Sequence, residues 1–66
     1  MSIAAEIKFF RKKLKLTQKE FADLFNSFPP KGLQTHPRDI SKYERGMTIP
    51  PTKKYMKFKQ VFVKHS

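Results

Sequence analysis

A chain of 66 residues without a single cysteine has to hold its fold by side-chain packing alone. A domain of this size buries only about 60% of the surface that its unfolded chain exposes. Small domains commonly make up the shortfall with disulfides, a metal or a partner subunit. The missing cysteines remove the disulfide framework and any cysteine-built zinc site. What remains is one tight core built from short elements, with self-association as the other available aid.

The spacing of apolar residues selects helices for those elements. Ile3, Ile7, Phe10 and Leu14 recur at intervals of four, three and four, one face of a helix over 2–14. Lys8, Arg11, Lys12, Lys13 and Lys15 take much of the rest. Thr17-Gln18-Lys19-Glu20 is a capping box, in which the Thr17 hydroxyl accepts from the Glu20 N–H and the Glu20 carboxylate accepts from the Thr17 N–H. Leu16 and Phe21 have the spacing of a hydrophobic staple beside it, and Phe21, Leu24 and Phe25 give the second helix, 18–26, its apolar face.

Pro29-Pro30 and Gly32 break the chain into a long loop over 27–36. Pro37 suits the first turn of a third helix, 37–45, which Gly46 ends as the residue past the cap. Ile40 and Tyr43 are its inward contacts. Pro50-Pro51 opens a last helix, 51–63, where Tyr55, Phe58 and Phe62 form a stripe with Met56 and Val63 beside it. The expected fold is all-α, a single domain over 1–66 with four short helices and no sheet.

Charge then narrows the partners. Fifteen Lys and Arg against five Asp and Glu give a net charge of +10, which attracts polyanions: nucleic acid, an anionic membrane or an acidic protein. At 38% hydrophobic and 14% aromatic the chain is too apolar for a disordered basic tail. No apolar run approaches a membrane span, and the start lacks the pattern of a secretory signal, so a cytoplasmic, nucleoid-associated location is expected. A membrane-surface role would need exposed apolar faces, which a shared core explains better.

No catalytic group stands out. The four serines sit in no triad-like setting, and the five carboxylates are accounted for by caps, pairs and helix surfaces. His36 and His65 lie far apart with no cysteine to join them, and two glycines cannot make a phosphate-cradling loop. The expectation is a non-enzyme with no metal, no cofactor and no small-molecule ligand.

The third helix fits a different task. A helix that reads DNA needs an apolar side for its own domain and an opposite side of donors for the major groove. In 37–45, Ile40 and Tyr43 supply the first, and Arg38, Ser41 and Lys42 the second. Arg38 and Lys42 are four apart and share a face, and either can donate to the O6/N7 edge of guanine.

Two segments make the pattern more specific. Phe10-Arg11-Lys12-Lys13-Leu14-Lys15-Leu16-Thr17-Gln18-Lys19-Glu20-Phe21-Ala22 and Ile40-Ser41-Lys42-Tyr43-Glu44-Arg45-Gly46, with Pro50 and the Tyr55/Phe58/Phe62 stripe after them, resemble the lambda-repressor/Cro-like (XRE-type) helix-turn-helix family over about residues 7–62. The resemblance implies a sequence-specific regulator, a repressor in most cases, that binds a double-stranded DNA operator as a homodimer at least on DNA. It implies base reading by Arg38, Ser41 and Lys42, phosphate contacts from Gln18, Arg45 and Thr48, and a buried pair of Arg11 with Glu44. Ala22 matches the small residue where helices pack closely.

Two features depart from the family. Ala22 and Ile40 are 18 positions apart, so the tight turn has become a long loop, and Pro37 stands where a polar base-reading side chain is usual. The loop is either an inert surface excursion or a further DNA contact, anchored by Phe28 or Leu33, with Lys31, Gln34, Thr35 and His36 reaching phosphates. The last helix's lysines are either a solvated face or phosphate contacts. Tyr43 is either core or a stacking platform, and Phe9 either meets a loop or forms a self-association patch. A second function on the same fold is protein binding, as an antitoxin-like or anti-repressor module for an acidic partner, supported by the long loop and by Phe9 and Phe28 if exposed.

Overall fold

Each helix starts where the chain offers an acceptor for the N–H groups that a first turn leaves unpaired. In the computed structural model, which describes residues 2–65, these helices are α1 (Ile3–Lys13), α2 (Gln18–Ser27), α3 (Pro37–Glu44) and α4 (Thr52–His65). Met1 and Ser66, the two ends of the expected domain, lie outside the described residues, among which there is no strand.

Ser2 caps α1 by accepting from the Ala5 N–H at 3.1 Å. Both halves of the capping box form at α2, with Glu20 N–H donating to Thr17 Oγ1 at 3.1 Å and Thr17 N–H to Glu20 Oε1 at 2.8 Å. His36 caps α3 ahead of Pro37. For α4 the Pro51 carbonyl accepts from Tyr55 N–H at 2.9 Å, so the helix begins at Thr52, one residue later than the prolines alone suggest.

The ends shift for similar reasons. Lys15 and Gly46 take positive φ, 61° and 73°, and each closes the helix before it. Met47 N–H donates to Lys42 O and Gly46 N–H to Tyr43 O, while Leu16 and Lys15 donate in the same way to Arg11 and Lys12. This paired closure ends α3 at Glu44 and α1 at Lys13, with Arg45 and Leu14 as the caps rather than helical residues. α2 runs to Ser27 and α4 to His65, one and two residues beyond the expected ends.

α1 and α2 each pack against both α3 and α4. Ile7, Phe21, Phe25, Ile40, Phe58 and Val61 are wholly buried at the junction, joined by Phe10, Ala22 and Tyr43. Phe58 is the hub, its ring 4.4 Å from Phe25, 5.4 Å from Phe21 and 6.1 Å from Tyr43, centre to centre. Burying an aromatic side chain of this kind stabilises by about 1.5–3 kcal/mol. Tyr43 is therefore core. Tyr55 and Phe62 are half-buried at the edge, Val61 takes the inner position, and Phe62 stacks on Phe10 at 4.6 Å.

The segment between α2 and α3 is tied down along its length. Phe28 and Leu33 pack against the core. The Asn26 amide accepts from Thr35 N–H at 2.8 Å and donates to Thr35 O at 2.9 Å, a two-way clamp across the loop. The Pro29–Pro30 peptide is cis, and Leu33 N–H donates to Pro30 O at 3.1 Å in the turn that follows.

Candidate nucleic-acid interface

A helix of period 3.6 places Arg38, Lys42 and Arg45 within about 60° of one another, opposite Ile40. Ile40 and Tyr43 are buried, Arg38 and Arg45 are exposed, and Ser41 and Lys42 are half-exposed at the margin of that outer face. The short helix thus carries one apolar side into the core and turns its donors away from it. Arg45 Nε also donates to Ser41 O at 3.3 Å, which holds its side chain along the end of the helix.

Besides the burial of Ile40 and Tyr43, a buried ionic contact fixes α3 against α1. Arg11 Nε donates to Glu44 Oε2 at 2.6 Å and Nη2 to Oε1 at 2.9 Å, while Nη1 donates to Leu16 O at 2.9 Å. The Arg11 and Glu44 side chains are 13% and 5% exposed. The hydrogen bond to Glu44 raises the Arg11 pKa further, so the guanidinium stays charged. Gln18 Nε2 approaches Glu44 Oε1 at 3.4 Å, so this side chain turns toward the pair rather than out from the start of α2.

The remaining expected contacts divide. Lys31 is exposed, with Nζ donating to Ser27 O at 2.7 Å. His36 is exposed, its Nδ1 facing the Arg38 N–H at 3.5 Å. Thr48 is exposed and lines a cavity of about 300 Å³ with Ser2, Ile3, Ala4, Gly46 and Ile49, at the start of α1. Thr35 does not fit its expected role. Its backbone is clamped by Asn26 and its side chain is buried, with Oγ1 unpartnered, so its hydroxyl cannot meet a phosphate. Pinning the loop at Thr35 is what turns that side chain inward.

The lysines of α4 also divide. Lys53, Lys59 and Lys64 are exposed, whereas Lys54 and Lys57 are buried. Lys54 Nζ lies 3.6 Å from Asp39 Oδ2 and over the Tyr43 ring at 5.3 Å, a tie to α3. Lys57 Nζ donates to Pro30 O at 2.8 Å and Leu33 O at 2.6 Å, and sits 4.3 Å from the centre of the Phe25 ring. Burial, with Lys31 nearby, lowers its pKa. Neither lysine is the solvated or phosphate-touching group that charge alone suggests. The signal was present in the spacing, since Lys54, Phe58 and Val61 follow a four-three rhythm and Lys57 adjoins it.

All five acids are engaged within the chain: Glu6 with Tyr55, Glu20 with its own cap, Asp23 with Lys19, Asp39 with Lys54 and Glu44 with Arg11. The outer side of α3 thus presents the cationic and hydroxyl donors of Arg38, Ser41, Lys42 and Arg45, while the acids on that helix, Asp39 and Glu44, are engaged by Lys54 and Arg11. Among the described residues no three His, Asp or Glu side chains gather as metal ligands, and no helix is long and apolar enough to cross a membrane. No protein-family model, no curated protein and no solved structure matches this chain.

Proposed function

We propose that the protein is a sequence-specific double-stranded DNA-binding regulator of the lambda-repressor/Cro-like helix-turn-helix kind, acting as a repressor and reading the major groove with α3. The observation that carries this reading is the two-sided third helix, with Ile40 and Tyr43 buried and Arg38, Ser41, Lys42 and Arg45 on the outer side. The major groove admits one helix, and arginine or lysine meeting guanine is its commonest specific contact. The ion pair from α1 to α3 gives that helix a firm seat. Arg45, Thr48 and the backbone N–H groups at the start of α2 serve the sugar-phosphate backbone, while the Gln18 side chain stays turned toward Glu44. Binding as a homodimer places two α3 helices in successive major grooves about one helical turn apart.

A net charge of +10 supports the same reading, since phosphate contacts supply most of the non-specific affinity for DNA. The protein-binding alternative keeps two supporting observations, the long loop between α2 and α3 and Phe9 at 47% exposure. Phe28, the other aromatic offered for it, is half-buried against the core. Selecting fragmented genomic DNA on the immobilised protein and sequencing what is retained separates the two. A sharp consensus with two-fold symmetry is expected. Retention with no preferred sequence would defeat the reading.

A further inference from the structure

We propose that Lys57 is a positioning residue for DNA recognition: from beneath, its ammonium holds the 28–36 loop in one shape, so that Lys31, Gln34 and His36 form a rigid phosphate-binding arm continuous with the start of α3. The inference rests on the DNA-binding reading above and extends it to a surface outside α3.

The first ground is the cost of the arrangement. Lys57 is 2% exposed, and no acid is among the partners of its Nζ, which are the Pro30 and Leu33 carbonyls and the Phe25 ring. A buried cation without a counter-charge is expensive. A methionine of similar reach would fill the same space without that penalty, but would leave two carbonyls with no donor from α4. What the lysine adds over an apolar side chain is its grip on the loop and a cation–π contact with Phe25, and of these the grip is what reaches the loop.

The second ground is what the grip delivers. Pro30 O accepts from Lys57 and from Leu33 N–H, so residues 30–33 are closed into a turn pressed on the core. Asn26 pins Thr35 at the far end, and His36, the next residue, caps α3. Three successive anchors thus lie within one short stretch. Between and after them Lys31, Gln34 and His36 are exposed, and the last is directly joined to the helix that carries Arg38. An arm already ordered loses less conformational entropy when it meets its ligand than a mobile one would.

The third ground is electrostatic. Lys31 lies close enough to lower the Lys57 pKa. A phosphate beside Lys31 relieves that repulsion, so occupation of the arm and retention of the Lys57 proton favour one another.

The test uses the full chain and the duplex that the wild type selects. The dependence of log K on log salt is measured for wild type, Lys31→Ala, Lys57→Met and the double variant. Each lost phosphate contact should flatten the slope by about 0.9. Lys31→Ala should flatten it by about that much, and Lys57→Met by the same or more although Lys57 itself is buried. Adding Lys31→Ala to Lys57→Met should then change nothing further, while the consensus stays as α3 sets it. A Lys57→Met protein that melts earlier but keeps the wild-type slope, and still responds to Lys31→Ala, would show a merely structural lysine and overturn the proposal.

Two further variants cover a Lys57→Met chain that fails to fold. Asn26→Ala cuts the other anchor without touching a charge and should flatten the slope in the same way. A wild-type background in which neither Lys31→Ala nor His36→Ala moves the slope overturns the proposal without any Lys57 variant. A wild type that selects no consensus removes the DNA reading and the proposal together. One that selects a consensus but whose slope ignores the loop removes the proposal alone.

Discussion

Replacing Glu44 by alanine tests whether the Arg11–Glu44 contact is what seats α3. The carboxylate accepts two short bonds from Arg11 in a site where its own side chain is 5% exposed. Removing one partner of a buried pair costs about 3–5 kcal/mol, because the other charge is left in low dielectric. Arg11 keeps its bond to Leu16 O and has 13% of its side chain at the surface, so water can reach part of the guanidinium. The lower end applies, about 3 kcal/mol.

Set against a total stability of roughly 3–10 kcal/mol for a domain of this length, that loss is a third or more. At about 4–8 °C per kcal/mol it lowers the midpoint by roughly 12–24 °C. Thermal melts followed by helical circular dichroism would read it directly. The paired replacement Arg11→Met with Glu44→Leu removes both charges together and should recover most of the loss, since apolar isosteres of a buried pair are tolerated. A Glu44→Ala chain that melts within a few degrees of wild type would show that the contact is not the tie. A double variant as unstable as the single one would show that shape, and not the stranded charge, sets the cost.

Other perturbations probe separate parts of the molecule. Arg38→Ala and Lys42→Ala should each cost about 1–3 kcal/mol at particular base pairs and relax the preference there, whereas Lys53→Ala should weaken all duplexes evenly; selection with each variant reads the difference, and an unchanged consensus in the first two would remove α3 as the reader. Lys15 holds φ at 61°, a conformation that strains any side chain with a Cβ, so Lys15→Gly should stabilise by about 0.5–1 kcal/mol in denaturant titration, and a loss of stability would contradict the strain. The hydrogen bond that Tyr55 Oη donates to Glu6 raises the phenol's pKa, so its contribution is whole below the ordinary tyrosine value of about 10 and fades as pH climbs through the raised one. Tyr55→Phe should therefore be less stable than wild type near neutral pH and converge with it in strong alkali; a gap that widens with pH would reverse the sign of the argument.

The helices were readable because their signals are local. Thr17 and Glu20 specify the start of α2 through bonds that span three residues, and Gly46 ends α3 by a backbone requirement of its own. Ile7, Phe10, Phe21, Phe25, Ile40 and Phe58 fall at helical spacings, and each is buried. The candidate reading face follows from the same periodicity, since once Ile40 and Tyr43 point inward, Arg38, Lys42 and Arg45 have one place left to go. Lys15 gave no such signal. Its left-handed conformation goes with the paired closure of α1, in which Leu16 and Lys15 donate back to Arg11 and Lys12, and a lysine there carries none of the residue preference that Gly46 shows.

Spacing puts Lys57 on the apolar side of α4 but does not say what it holds there, and that partner bears on the long loop. A tight turn between α2 and α3 has few carbonyls to place. A segment as long as 28–36 laid over the domain has many, and some of them face inward, where a carbonyl without a donor is costly. The loop's own backbone supplies one bond to Pro30 O, and its prolines supply no N–H at all. The outstanding donors have to come from the element beneath, which is α4, and a lysine is long enough to bring an ammonium through an apolar layer and set it over the Phe25 ring. Long loop and buried cation are thus two halves of one solution. Each looks anomalous when read alone along the chain, the loop as excess length and Lys57 as a charge on the apolar side of a helix. Their complementarity exists only across the 24 positions between Leu33 and Lys57, beyond the reach of any helical period.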